Sequence, residues 1–233
     1  MTEGALQAPT PAQIISALGR TGFLLEQVVA QKLRKAGFAV AVNDAFPDPD
    51  TGKSREIDVW ALTDYEVPNS EVNVFGDVII ECKNYAAPIV LIGTNREAWS
   101  SNDESITLSF DPLALDFPNE PSKSVISKLG ISRVAGNDQK DRFVGYQLVK
   151  MERKSGGWAA DNSSIYESIL YPLAKARVYR MEQYSNEQDE GESRLEVWQH
   201  PLLTYYFPVV LTAGRVYTVA VNGETGPEVT EVK

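Results

Sequence analysis

Val78-Ile79-Ile80-Glu81-Cys82-Lys83-Asn84-Tyr85 decides how the chain is read. Three β-branched residues make an apolar run too short for a helix, which predicts a buried strand. That run ends in a carboxylate, a thiol and an ammonium group. Side chains alternate along a strand, so Ile79, Glu81 and Lys83 share one face while Val78, Ile80 and Cys82 share the other. Glu81 and Lys83 therefore stand side by side where the strand leaves the core.

Upstream, Arg55-Glu56-Ile57-Asp58-Val59-Trp60-Ala61 predicts a second strand with an acid inside it. A third acid, Glu26, belongs to an amphipathic helix expected from Gly22 to Ala36 and stopped by Gly37. Its apolar face reads Leu25, Val28, Val29, Leu33 and Ala36, at helical spacing. Glu26 precedes Val29 and Leu33 by three and seven residues and so leans toward the buried side. It also suits the positive end of a helix.

Two carboxylates from neighbouring strands, Asp58 and Glu81, with the Cys82 backbone carbonyl, form a hard-oxygen set suited to Mg2+ or Mn2+. Magnesium takes such ligands at about 2.0–2.1 Å and keeps several waters. A metal so held activates water and offsets charge on a phosphate, and Lys83 beside it would stabilise the transition state of phosphodiester hydrolysis. The plainer reading is a salt bridge between Asp58 and Lys83 at a sheet end. Cys82 faces away from Glu81 and reads as a small core filler. Glu56 reads as a surface residue.

At these residues the chain resembles the PD-(D/E)XK nuclease superfamily, the restriction endonuclease-like fold, and within it the Mrr-like nucleases and archaeal Holliday-junction resolvases. The resemblance rests on Glu26, on Arg55 to Ala61 and on Ile80 to Asn84, and covers roughly residues 22–85. It implies an α/β fold, a central mixed sheet flanked by helices. It implies Asp58 and Glu81 as metal ligands, Lys83 as the catalytic lysine and Glu26 as an auxiliary acid. The proline that names the motif is replaced by Ile57. Lys53, Arg55 and Asn84 are candidate substrate contacts, with DNA as the expected substrate and a homodimer or a protein partner as the expected assembly.

The rest of the chain frames this site. Thr10, Pro11 and Gln13 predict a capped helix start. Phe38 to Val42 predicts a strand, and residues 46–54 a tight loop. The length of 233 residues suits a single nuclease-like domain with core 20–92 and 162–222 and an insertion at about 93–161. Within the insertion, Ser124 to Leu129 predicts a short helix and Phe143 to Lys150 a strand. Ser163 to Tyr184 is helical in pattern, with Pro172 kinking it or starting it anew. Tyr205 to Leu211 and Val216 to Val221 predict a closing hairpin turned at Ala213-Gly214.

Composition bounds the function. No apolar run reaches the ~20 residues that span a bilayer. The opening residues lack the pattern of a signal peptide, and a single cysteine suits a reducing compartment, so the cytoplasm is the expected location. One cysteine with one histidine, His200, leaves no zinc cluster. The net charge of −10 opposes a broad, sequence-independent grip on nucleic acid, leaving room for a local basic groove. It also motivates an alternative, a catalytically silent member of the fold that binds nucleic acid or a protein. An unrelated α/β protein binding a small ligand ranks last, since neither a glycine-rich phosphate loop nor a Ser-His-Asp arrangement is present. Scattered Lys123, Lys128 and Arg133, and Trp60, Trp99, Trp158 and Trp198, read as surface and packing residues.

Overall fold

A computed structural model describes residues 8–66, 73–96, 108–110, 142–189, 202–222 and 226–232. The expected helix at Ser124 to Leu129, the cations Lys123, Lys128 and Arg133, Trp99, Trp198 and His200 lie outside them.

The fold is mixed α/β with two mixed sheets. Helix α1 (Pro11–Leu18) opens with the full capping box: the Thr10 side chain accepts from the Gln13 N–H, and the Gln13 side chain accepts from the Thr10 N–H. Helix α2 (Phe23–Lys35) starts after Gly22 and ends at Ala36, with Gly37 at φ 95° turning the chain away. Its inward stripe is Leu25, Glu26, Val29, Ala30 and Leu33. Val28 and Ala36, expected on that stripe, are exposed. The stripe has the expected width but is rotated toward Glu26 and Ala30, the latter fully buried against the sheet.

Strands β1 (Ala39–Pro47), β2 (Ser54–Glu66) and β3 (Asn73–Lys83) form an antiparallel meander. Strand β4 (Ile89–Arg96) leaves for the second sheet, and the short β5 (Leu108–Phe110) returns to the first. Then come β6 (Arg142–Lys154), β7 (Gly157–Asp161), a π-helical turn (Tyr166–Leu170) and, directly continuing it, helix α3 (Tyr171–Asp189), with Pro172 at the junction of the two. Strand β8 (Leu202–Thr212) lies parallel to β3, and β9 (Val216–Asn222) and β10 (Gly226–Val232) complete the second sheet. The orders are β1-β2-β3-β8-β5 and β10-β9-β4-β6-β7.

Helix α2 covers one face of the first sheet over Val59, Ile80 and Cys82. The π-helical turn and α3 cover the other through Ile165, Ile169, Leu173 and Ala176, packed on Phe46, Ile57 and Ile79. Two buried carboxylates tie α3 down. Asp48, in the β1–β2 turn, accepts from the backbone N–H groups of Asp50 and Thr51 at 3.0 and 3.1 Å, from Arg55, and from Lys175 of α3 at 2.9 Å. Asp77 accepts from Trp60 Nε1 at 2.8 Å and Arg180 Nε at 3.2 Å, with the guanidinium 3.9 Å from the Trp60 ring centre.

The expected closing hairpin does not form. Strands β8 and β9 belong to different sheets, and each lies parallel to a strand of the earlier β3/β4 pair. The β3–β4 and β8–β9 connections run alongside each other, joined by Ala213 N–H to the Lys83 carbonyl at 3.2 Å and Ile89 N–H to the Arg215 carbonyl at 2.9 Å. Gly214 permits this: a Cβ there would stand 2.5 Å from the Tyr85 carbonyl oxygen and 3.1 Å from that of Ala87. An apolar strand, a glycine turn and a second apolar strand look the same locally whether the chain folds back or passes onward.

Candidate active site at the fork of two strands

The site forms where β2 and β3 part. Pairing between them runs up to Val59 opposite Ile80 and stops there. Pairing between β1 and β2 joins Val42 to Val59 and Asp44 to Ile57, skipping Asn43 and Asp58. Asp58 is thus outside both ladders. Residues two apart on a regular strand share a face, yet Ile57 packs toward α3 and Val59 toward α2. The strand turns over at Asp58, and opposite it Asn43 takes a left-handed φ of 54°, which asparagine tolerates better than most residues.

Freed in this way, the Asp58 carboxylate reaches β3 and accepts the Cys82 N–H at 2.7 Å. Glu81 and Lys83, one residue to either side, form an ion pair through Oε1 and Nζ. The plain salt bridge expected between Lys83 and Asp58 is therefore replaced: the lysine pairs with Glu81, its i−2 neighbour on the same strand face. Glu26 enters from α2, buried at 5% exposure, and its Oε2 accepts a hydrogen bond from Asn43 Nδ2 at 3.4 Å. A Cβ on Gly22 would lie 3.0 Å from Glu26 Oε1 and 3.6 Å from the Cys82 carbonyl oxygen, so both oxygens border the space that the glycine leaves. The structure therefore gathers Glu26, Asp58, Glu81, Lys83 and the Cys82 carbonyl.

Electrostatics follow from crowding acids in a half-buried corner. Burial raises the Glu26 pKa, and the Asp58 charge adds to it. Burial also raises Asp58 against the opposing Cys82 N–H, and raises Glu81 against the hydrogen bond from Lys83. For Lys83, burial pulls the pKa down, but the hydrogen bond and charge of Glu81 outweigh it and the net direction is up. Lys83 is an ammonium at neutral pH. The Cys82 thiol, in the core cluster under α2, is pushed up to about 12, first by burial and then by the surrounding acids, which removes it as a nucleophile.

The candidate substrate contacts fare differently. Arg55 is engaged by Asp48, so its guanidinium serves the β1–β2 turn. Asn84 Nδ2 donates to the carbonyls of Gly19 and Thr21, clamping the α1–α2 link to the end of β3. Lys53 is exposed in the turn before β2. Two contributors escape a reading of the sequence. Asn43 lies just past the strand expected at Phe38 to Val42, and Gly22 reads only as a helix start; neither role shows until the elements meet.

Among the described residues, no three His, Cys, Asp or Glu side chains close on one point as a ready metal cluster. No helix among them is long and apolar enough to cross a membrane. Comparison with protein-family models, curated proteins and solved structures finds no match to the chain.

Proposed function

We propose that the protein is a divalent-metal-dependent nuclease of the restriction endonuclease-like kind, hydrolysing phosphodiester bonds in DNA. The observation that carries this reading is the convergence of Glu26, Asp58, Glu81 and Lys83, from three separate elements, on the place where β2 and β3 part. A mixed sheet covered by α2 on one face and α3 on the other is the setting that the resemblance implies.

By type, the donors are those a hard cation takes. Asp58 and Glu81 offer carboxylate oxygens, and the Cys82 carbonyl opens beside Glu26 on the space left by Gly22. Two carboxylates and a carbonyl, completed by water and a phosphate oxygen, suit Mg2+ or Mn2+. A bound ion supplies charge that lowers the pKa of its water and offsets charge on the phosphate. The protein's own groups do the rest. Lys83, held protonated by Glu81, places positive charge where the phosphate becomes more negative. Glu26, its pKa raised and one oxygen fixed by Asn43, is placed to orient water and take its proton.

Purified protein incubated with plasmid, linear and branched DNA and Mg2+ or Mn2+ tests this. Cleavage is expected, and its loss in Lys83→Ala and Asp58→Asn. No cleavage by the wild type, or undiminished cleavage by Lys83→Ala, overturns it. A second reading, a silent subunit of the same fold, is favoured by the Lys83–Glu81 pair, which ties up two of the four groups. Calorimetric titration with Mn2+ separates the two: heat from a single site that vanishes in Asp58→Asn, together with turnover, removes the silent reading.

A further inference from the structure

The chain's cations are distributed unevenly. Beyond residue 43, Arg55 and Lys175 are held by Asp48, Lys83 by Glu81, Lys150 by Glu152, Arg180 by Asp77 and Arg215 by Glu231, while Lys53, Arg153, Lys154 and Arg177 meet no carboxylate among the described residues and lie at separate places along the chain. Residues 8–43 are different. They carry Arg20, Lys32, Arg34 and Lys35 against one acid, Glu26, a local balance of +3 in a chain of net charge −10. That one acid is buried in the site. All four cations are exposed, and among the described residues no carboxylate pairs with Arg20, Lys32 or Lys35.

This basic layer is joined to the site at its base. The Asn84 side chain holds the carbonyls of Gly19 and Thr21, and the first turn of α2 carries Glu26. From Glu26 the helix rises 1.5 Å per residue, so Lys35 stands about 13 Å further along it, roughly four nucleotides at 3.4 Å each. Lys35 is on the side of α2 opposite its buried stripe, together with exposed Gln27, Val28 and Gln31, and Lys32 is exposed on the adjoining flank.

We infer that the outer face of α2 and the α1–α2 link, through Arg20, Lys32 and Lys35, is the surface along which the phosphate backbone of duplex DNA is held on its way to the fork. The inference rests on the proposed nuclease reading and deepens it. It removes the objection from net charge, because a local cationic face within an acidic molecule concentrates a polyanion at one place and repels it elsewhere. The competing role for Lys32, Arg34 and Lys35 is to offset the negative end of the α2 dipole, which would affect the stability of the helix alone.

The test uses the full chain carrying Asp58→Asn, in EDTA, with binding to a short DNA duplex followed by fluorescence anisotropy over a series of salt concentrations. Adding Lys32→Gln and Lys35→Gln is expected to reduce the salt slope, d log K/d log[salt], by about two in magnitude, about one for each phosphate no longer neutralised. Affinity at low salt should fall at least ~10-fold with it. The control pair Arg153→Gln and Lys154→Gln, at the β6–β7 turn, should change neither. An unchanged slope with only a lower Tm assigns the lysines to the helix dipole and overturns the inference. So does an equal loss in the control pair. If the unsubstituted protein cleaves DNA while the double lysine variant cleaves and binds as well, this surface is wrong and the nuclease reading stands. If the unsubstituted protein neither binds nor cleaves DNA, both fall.

Discussion

The Asp58 carboxylate accepts the Cys82 backbone N–H at 2.7 Å across the point where their strands cease to pair. One carboxylate oxygen thus does the work of a missing ladder bond, and its charge stays in the site. Shape and charge can be separated there. Asp58→Ala removes the acceptor and leaves a half-buried N–H unmet, at a cost of about 1–2 kcal/mol. Asp58→Asn keeps an acceptor and removes a charge that burial disfavours. Chemical denaturation is expected to show the alanine variant destabilised and the asparagine variant at least as stable as wild type, while both lose Mn2+ binding. A stable alanine variant contradicts the assignment.

The open space beside Gly22 is the second point of test. Gly22→Ala places a methyl group 3.0 Å from Glu26 Oε1 and within van der Waals contact of the Cys82 carbonyl. Gly22 has φ −71° and ψ −20°, a backbone conformation that alanine adopts without strain. Mn2+ affinity should fall by about 10-fold or more, as for other changes just outside a ligand shell. Titration calorimetry on wild type and variant, at matched Tm, decides it.

Stability should respond to pH through groups shifted in opposite directions. Glu26, Asp58 and Glu81 have pKa values raised chiefly by burial. A raised carboxyl stabilises the fold fully below its ordinary pKa, and that contribution is lost as pH rises through the raised value. Asp48 is shifted the other way, first by the Lys175 hydrogen bond, so its contribution holds above the ordinary 3.8 and is lost as pH falls through the lowered value. On these groups Tm should rise as pH falls from neutrality into the ordinary carboxylate range and drop again below it. Glu26→Gln should melt above wild type at pH 7, with the gap closing as pH falls through the carboxylate range. Equal Tm–pH curves for the two would contradict the burial of that charge.

Lys83 yields a kinetic prediction. Burial alone would lower its pKa, and Glu81 reverses the direction. Acting as an ammonium, it should leave cleavage rates flat on the alkaline side up to pH ~10, near the ordinary lysine value. Lys83→Ala should cost about 10²–10³ in kcat, the scale of a lost electrostatic stabiliser. Lys83→Arg, which keeps the charge but does not give up a proton, should retain far more activity than Lys83→Ala; equal loss in the two would make the lysine a base instead.

Gly214 tests the passage between sheets. Any side chain there meets the carbonyls of Tyr85 and Ala87, which are backbone and cannot swing aside. Gly214→Ala should cost about 2 kcal/mol, the middle of the range for overpacking, measured by denaturant midpoint.

What can be read from the residues is what is set locally. Thr10 and Gln13 announce a helix start because the capping box is a four-residue device. Pro172 fixes where α3 can begin. The run from Val78 to Lys83 carries its strand and its parity within itself. The rest depends on encounters between distant segments. The turnover of β2 at Asp58 follows from two helices packing on opposite faces, and no alternation within residues 55–61 signals it. Arg55 looks free for a phosphate because Asp48 comes back onto it only when the β1–β2 turn closes, with Lys175 of α3 joining from far along the chain. Val216 to Val221 looks like the return arm of a hairpin because the strand it truly joins, β4, lies more than a hundred residues earlier.

That side-by-side passage has a consequence for anyone wishing to trim the molecule. Along the chain, described strands alternate between the sheets as β1 to β3, β4, β5, β6 and β7, β8, then β9 and β10. The two layers are stitched rather than hinged. Deleting residues 93–161 would strip β6 and β7 from β4 and leave an apolar edge bare, so the described strands offer no natural seam at which to shorten the chain.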